Sequence, residues 1–224
     1  MPKQEGRLEV PEVVVERLPL YVRALKELAQ RQVEVVSSKE LGERLHTTPA
    51  QIRKDLSSFG RFGKQGRGYS VRTLLTALQQ ILGLDREWHV AVIGVGRLGR
   101  AIISYPGFAP EGFKVVAALD NDPRQIGQVI GGLMVQPIEE LPRLVKEQDI
   151  QITIVAVPRE HAQEVIDLAV QAGVRAILNY APITPRVPNG VRVQNIDPVL
   201  SLQAMTYYLV SGERRPLKTP SGAR

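Results

Sequence analysis

The segment His89-Val-Ala-Val-Ile-Gly-Val-Gly-Arg-Leu-Gly99 constrains the fold more than any other part of the chain. A short apolar run over residues 90–95 leads into Gly94-x-Gly96-x-x-Gly99, and a helix-like stretch over 98–103 follows. A buried strand, a glycine turn and a helix in this order form the cradle for a dinucleotide pyrophosphate. Gly94 allows the turn, Gly96 lets backbone approach the phosphates, and Gly99 permits close packing of helix on strand. The phosphates would then meet the helix N-terminus. Twenty-one residues after Gly99, a second apolar run over 113–119 ends in Asp120, the position of a ribose-binding carboxylate. The pattern therefore assigns Gly94, Val95, Gly96, Arg97, Leu98 and Gly99 to the phosphates and Asp120 to the ribose. Asp120 and Asp122 would both repel a 2′-phosphate, so the expected cofactor is NADH or NAD+ rather than its phosphorylated counterpart.

Further extended runs at 133–135, 152–157, 176–178 and 191–196 alternate with helical stretches at 138–147 and 161–172. This alternation predicts an α/β, doubly wound parallel sheet whose ligands sit at the C-terminal strand ends. Val157-Pro158 and Asn179-Tyr-Ala181-Pro182 follow two strand ends. They read equally as pocket rims and as ordinary strand-to-helix turns. After Asp197-Pro198, residues Val199, Leu202, Met205, Tyr208 and Leu209 share one helical face, which predicts a core or interface helix over 198–210. Residues 211–224, rich in Gly, Pro, Ser and charge, read as a disordered tail.

The N-terminal part has a different grammar. Val14, Leu18, Tyr21, Val22, Leu25, Leu28 and Ala29 recur at helical spacing, and Pro19 predicts a helix start or kink near residue 18. Two N-terminal capping signatures follow closely, Ser37-x-x-Glu40 and Thr48-x-x-Gln51, the second with Pro49 at the first helical position. Two short helices on a tight turn at His46 and Thr47 make a helix-turn-helix, whose second helix enters the major groove of DNA. Ile52 and Leu56 would face the core, leaving Gln51, Arg53, Lys54 and Ser57 outward or flanking; Arg and Lys read guanine, and Gln reads adenine. The next stretch, residues 59–69, interleaves Gly60, Gly63, Gly66 and Gly68 with Arg61, Lys64 and Arg67, while Phe59, Phe62 and Tyr69 are candidate anchors. A flexible linker would not need three aromatic anchors, so the segment reads as a basic wing. A last helix over 72–82 ends at Gly83. The domains are expected at 1–84 for the winged helix, 85–197 for the dinucleotide sheet, 198–210 for the interface helix and 211–224 for the tail.

Charge supports this division. The net charge is +6, and residues 53–72 hold six basic side chains against the single acid Asp55. Such a concentrated basic stretch is the footprint of a polyanionic partner. The 224 residues contain no cysteine, which excludes disulfides, thiolate nucleophiles and cysteine–zinc sites. The three histidines lack metal-ligand spacing, and no apolar run approaches membrane-spanning length. The expectation is a cytoplasmic protein without a metal.

Winged helix, Gly94-Val-Gly-Arg-Leu-Gly99, Tyr105-Pro-Gly-Phe108 and Asn179-Tyr-Ala-Pro182 in this order resemble the Rex family of bacterial redox-sensing repressors. The resemblance covers about residues 10–210, and Gln51-Ile-Arg-Lys-Asp-Leu-Ser-Ser-Phe-Gly60 is typical of it. It implies a homodimer that binds double-stranded operator DNA and lets go when NADH binds. It further implies that the C-terminal helix is exchanged between subunits near the partner's nicotinamide. A polar switch is carried over onto Arg23, Tyr105 and Asp197, with Tyr105 also beside the cofactor. The chain departs from the pattern at Pro198, where an aromatic is expected after the Asp.

A dinucleotide domain of about 125 residues leaves no room for a substrate domain, and His161 has only the adjacent Glu160 as a local carboxylate. Binding without turnover is therefore expected, not an enzyme. Two rival classes are a small NAD-dependent oxidoreductase and a transcription factor that senses a coenzyme A or ADP-type ligand.

Overall fold

The computed structural model describes residues 10–60, 62–64 and 68–213. The chain divides into two compact units, Met1–Arg86 and Glu87–Arg224.

In the first unit, α1 (Glu12–Gln30) is followed by β1 (Val35–Val36), α2 (Ser38–Arg44), α3 (Pro49–Ser57), β2 (Gly63–Lys64), β3 (Gly68–Ser70) and α4 (Val71–Leu82). Pro19 does not start a helix: α1 begins at Glu12 and continues past it. Its missing N–H leaves the Val15 carbonyl without an intrahelical donor. The buried face of α1 (Leu18, Tyr21, Val22, Leu25, Leu28) is nonetheless completed by Val36, Leu41, Ile52, Leu56, Leu74 and Leu78, and this core outweighs one lost bond.

Ser37 and Glu40 form the full reciprocal capping box. At α3 only half of the expected box exists. Thr48 accepts from the Gln51 backbone N–H at 3.1 Å, but the Gln51 side chain turns to Asp55. The two helices meet closely because a Cβ on Gly42 would lie 2.7 Å from the Thr47 carbonyl oxygen. The turn passes through His46 at φ 50°. β1, β3 and β2 make a three-stranded antiparallel sheet, with Val36 opposite Tyr69 and Gly63 opposite Tyr69 on the other side. Phe59, Phe62 and Tyr69 pack partly buried against the core, as the wing reading requires. Arg61 and Arg67 lie outside the described residues.

The second unit runs β4 (Trp88–Ile93), α5 (Arg97–Ile103), β5 (Phe113–Asp120), β6 (Val129–Ile130), β7 (Leu133–Pro137), α6 (Leu141–Glu147), β8 (Ile150–Val155), α7 (Arg159–Gln171), β9 (Ala176–Asn179), β10 (Arg192–Asn195) and α8 (Pro198–Glu213). The sheet order is β10-β9-β8-β4-β5-β7-β6, parallel throughout except for β6 on β7. Without the edge strand β6 this is the 3-2-1-4-5-6 order of doubly wound dinucleotide-binding sheets. Residues of β4 alternate between two cores. Ala91 and Ile93 face α6 and α7, while Val90 and Val92 face α5. Burial on both faces explains why the strand reads as a continuous apolar run.

The connections and helix bounds add detail that the sequence pattern left open or placed differently. β5 reaches β7 through the β6 hairpin and not a helix, and β9 reaches β10 through a loop. The helix expected over 138–147 divides into a 3₁₀ turn, Ile138–Glu140, and α6, whose first turn contains Pro142. α8 continues to Glu213, past the expected tail start at 211, since one Gly costs a helix only about 1 kcal/mol. Its apolar residues are not confined to one face. Residues 214–224 lie outside the described residues.

Candidate functional site

A cleft of about 300 Å³ opens over the C-terminal ends of β4, β5 and β8, where the strand order reverses. Gly94 and Gly96 line one side, Asp120, Asn121, Asp122 and Gln125 another, and Ala156, Val157 and Pro158 the β8–α7 turn. Ile93, Ile138 and Val165 give it apolar walls, and His161 reaches it from α7.

The three glycines answer to different forces. Gly94 sits at φ +92°, and a Cβ there would lie 2.6 Å from the Ala156 carbonyl oxygen. A Cβ on Gly99 would lie 1.8 Å from the Gly94 carbonyl oxygen, so α5 could not approach its strand. Gly96 is different: its φ of −70° suits any residue, and a Cβ would meet nothing within 4 Å. Neither backbone conformation nor a protein neighbour calls for glycine at this position on the cleft wall. α5 itself is two turns long, so its dipole is weaker than a long helix would supply.

Asp120 stitches the glycine turn to the end of β5. Its Oδ2 accepts from the Val95 backbone N–H at 2.6 Å and its Oδ1 from that of Asp122 at 2.9 Å. Each carboxylate oxygen has two acceptor sites, so one on each remains for hydroxyl donors in the cleft. Asp122 is less available. Arg124 binds it at 2.8 Å and holds its carboxyl below the usual range, leaving repulsion of a 2′-phosphate to Asp120.

Sequence reasoning missed Arg100. Its Nε donates to the Val95 carbonyl at 3.2 Å and its Nη2 to Gln125 and Gln128 at 2.5 and 2.6 Å, bracing the wall opposite α7. No spacing rule links Arg100 to glutamines 25 and 28 residues on.

Other expected cofactor residues stand off the cleft lining. Val95 is buried and contributes its backbone, while Arg97 and Leu98 are exposed on α5. Asn179 is buried: its Nδ2 donates to Asn195 and to the Ala181 carbonyl, and its Oδ1 accepts from the Ala181 N–H. It thereby shapes the Asn179–Pro182 loop, with Ala181 buried and Pro182 exposed. Tyr105 is exposed and meets Phe108 edge-on at 5.1 Å. Arg23 is exposed on α1. Asp197 caps α8, its Oδ1 accepting from the Val199 N–H at 2.9 Å.

On α3, Arg53, Lys54 and Ser57 are exposed and Gln51 is half-buried. Arg53 donates to Ser38 Oγ at 3.0 Å, and Ser57 Oγ donates to the Lys54 carbonyl at 2.7 Å. Lys64 stands on β2, paired in register with Gly68. Beneath the helix, Asp55 is completely buried. It accepts from Arg17 through both oxygens at 2.7 Å, from Tyr21 at 2.5 Å and from Gln51 at 2.6 Å. Burial alone would raise its pKa, but these donors and the Arg17 charge more than offset it and hold the carboxyl below its ordinary value. Burial and the facing carboxylate push the Tyr21 hydroxyl upward, so it stays a donor.

Comparison with known proteins decides the family. A "CoA binding domain" model matches residues 85–183 and a "Putative DNA-binding protein N-terminus" model matches residues 9–57. The redox-sensing transcriptional repressor Rex of Roseiflexus sp. is 57% identical over 201 residues, 90% of this chain and 91% of the relative. That of Chloroflexus aurantiacus is 54% identical over 199 residues, 89% and 94% of the two chains. The chain belongs to the Rex family. The crystal structure of RSP, a Rex-family repressor, in complex with β-NAD+ and operator DNA matches with a TM-score of 0.87 at 38% identity, covering 95% of this chain and 99% of that one. RSP in complex with β-NADH matches at 0.82 and 37%, covering 92% and 96%. The Rex relatives are named as transcriptional repressors and not as enzymes. Among the described residues no helix is long and apolar enough to cross a membrane, and no group of acidic or histidine side chains could hold a metal.

Proposed function

We propose that this Rex-family chain is an NADH-sensing transcriptional repressor, a homodimer that grips operator DNA through α3 and the wing and releases it when NADH fills the cleft. Gly96 carries the reading of the cleft. It is a glycine that the protein's own packing does not require, at the place where a pyrophosphate would lie against backbone. Gly94 and Gly96 would hold the phosphates, Asp120 the adenosine ribose, and Val157 and Pro158 the far wall. On the DNA side, Gln51, Arg53, Lys54 and Ser57 would meet bases and phosphates, and Arg61, Lys64 and Arg67 would contact the backbone from the wing. Arg23, Tyr105 and Asp197 would exchange partners between the two liganded forms.

A ligand shifts a conformational equilibrium only by its differential affinity for the two states. NADH and NAD+ differ by a hydride and by the ring's positive charge, so a dry apolar nicotinamide site favours the neutral reduced ring. Occupancy then alters the spacing of two symmetry-related α3 helices, which must reach half-sites about one helical turn apart.

The test is a linkage measurement on a palindromic duplex selected by the protein from a randomised library. Duplex affinity is read with and without saturating NADH, and NADH affinity with and without saturating duplex. The two ratios must be equal, because coupling is reciprocal. Duplex affinity indifferent to NADH, or lowered as strongly by coenzyme A or ADP, overturns the reading.

A further inference from the structure

Asp55 and Gln51 lie four apart on α3, so both point from the same face. Arg17 and Tyr21 lie four apart on α1 and meet Asp55 from the other side. The result is a closed set of donors around one buried carboxylate. Oδ1 takes Arg17 Nη2 at 2.7 Å and Gln51 Nε2 at 2.6 Å, while Oδ2 takes Arg17 Nε at 2.7 Å and the Tyr21 hydroxyl at 2.5 Å. Counting two lone-pair sites on each oxygen, all four acceptor sites are filled.

This has a chemical consequence for Gln51. An ionised carboxylate accepts and cannot donate, and Arg17 keeps this one ionised. Gln51 therefore meets it only with its amide nitrogen. The terminal torsion of glutamine is otherwise broad and nearly two-fold, so an unsupported side chain would present its oxygen or its nitrogen with similar ease. With one N–H spent on Asp55, the remaining polar edge of Gln51 carries Oε1, an acceptor, beside the second N–H, a donor. Gln51 occupies the first turn of α3, where its backbone N–H is capped by Thr48. That end of a recognition helix faces base edges. In the major groove adenine offers the N6 amino donor beside the N7 acceptor, the complement of this edge, whereas guanine offers two acceptors.

We propose that Asp55 is a positioning residue for sequence recognition, fixing the Gln51 amide in the one orientation that reads an adenine in each half-site. The role rests on the repressor reading of α3. It differs from a purely structural ion pair, because it makes one base contact depend on a side chain that DNA never touches. Among the described residues Arg53 and Lys54 have no such buttress: Arg53 rests on the hydroxyl of the half-buried Ser38.

The experiment uses the full-length protein and its selected palindromic duplex, with each adenine replaced in turn by 7-deazaadenine. That base keeps the N6 amino group and its pairing but lacks N7. Binding is read by fluorescence anisotropy over a range of salt. One adenine per half-site should lose about tenfold in affinity on replacement, the scale of a good bidentate contact. Gln51→Met should abolish that penalty and leave the salt slope unchanged, since no phosphate contact is lost. Asp55→Asn, shown to be folded by circular dichroism, should reduce the penalty although Gln51 is still present. A folded Asp55→Asn protein with the full penalty overturns the positioning role. An NMR measurement on the wild-type protein stands independent of that variant's folding. The Gln51 side-chain amide should show one strongly downfield proton, assigned by its disappearance in Gln51→Met, and two ordinary amide protons overturn the proposal. A wild-type protein that binds no duplex sinks the repressor reading itself. One that binds tightly, with no adenine whose N7 matters through Gln51, sinks the adenine-reading role alone.

Discussion

A methyl group at Gly99 would lie 1.8 Å from the Gly94 carbonyl oxygen, whereas one at Gly96 would meet nothing within 4 Å. The same substitution therefore has two different outcomes. Gly99→Ala should destabilise the second unit by about 1–3 kcal/mol, the usual cost of overpacking, and lose NADH binding as a consequence. Gly96→Ala should leave thermal unfolding unchanged and weaken NADH by about tenfold, or about 1.4 kcal/mol, in a fluorescence titration. Equal loss of stability in both would mean that Gly96 serves packing after all. Asp55 gives the residue scale its pH signature. Its folded pKa lies below the unfolded value of about 3.9, so its contribution is complete above that value and lost as pH falls through the folded one. The first unit should hold its full stability from neutrality down to about pH 4 and weaken below it. Asp55→Asn should cost about 3 kcal/mol at pH 7, because Arg17 is left without its counter-charge, and should flatten the acid limb. Denaturant titrations at a series of pH values measure both.

At the scale of elements, what could be read in the sequence was local. The Ser37–Glu40 capping box, the Gly83 cap of α4 and the strand–glycine–helix of β4 and α5 depend on residues within a few positions of one another, and each stands where the sequence places it. Asp55 was legible only as a charge, because its partners Arg17 and Tyr21 lie 38 and 34 residues away and no short-range pattern joins them. As a helix start, Pro19 misleads for the same reason. Its cost is local, but the burial that outweighs it is spread over three other helices and a strand. The sequence names no helix between residues 120 and 133, and the Asp122–Gln128 turns and short β6 hairpin that fill this stretch were not legible because they carry no strong periodicity. Of the cleft, the phosphate turn and Asp120 were readable, whereas its brace, Arg100 with Gln125 and Gln128, forms only when β5 and β4 lie side by side. The wing and α3 should separate by salt. Lys64→Ala should weaken every duplex about equally and lower the magnitude of the salt slope by about one, as expected of one phosphate contact. Arg53→Ala should instead change which sequences a randomised library yields, and an Arg53→Ala protein selecting the wild-type operator would remove that residue from base recognition.

For the whole molecule the most informative surface is α8. Val199, Leu200, Leu202, Met205, Tyr207, Tyr208, Leu209 and Val210 are each more than half exposed, on a helix of 16 residues that is apolar around its whole circumference. A helix hydrophobic on all sides belongs in an interior. No described residue of α8 is buried within this chain, so the interior must come from elsewhere, and a second copy offering the same helix satisfies both at once. Burying such side chains contributes about 1.5–3 kcal/mol apiece before the entropy of association is subtracted, enough for a stable two-fold assembly. A chain ending at Ile196 should therefore sediment as a monomer. It should keep the secondary structure of both units, because α8 contributes to neither core, and should bind a single half-site with the wild-type salt slope per half-site. Its affinity for a two-half-site operator should collapse toward that of one half-site, since the gain from linking two readers is lost with the link. A truncated chain that still sediments as a dimer would place the interface on another surface and leave the exposure of α8 to be satisfied by a different partner.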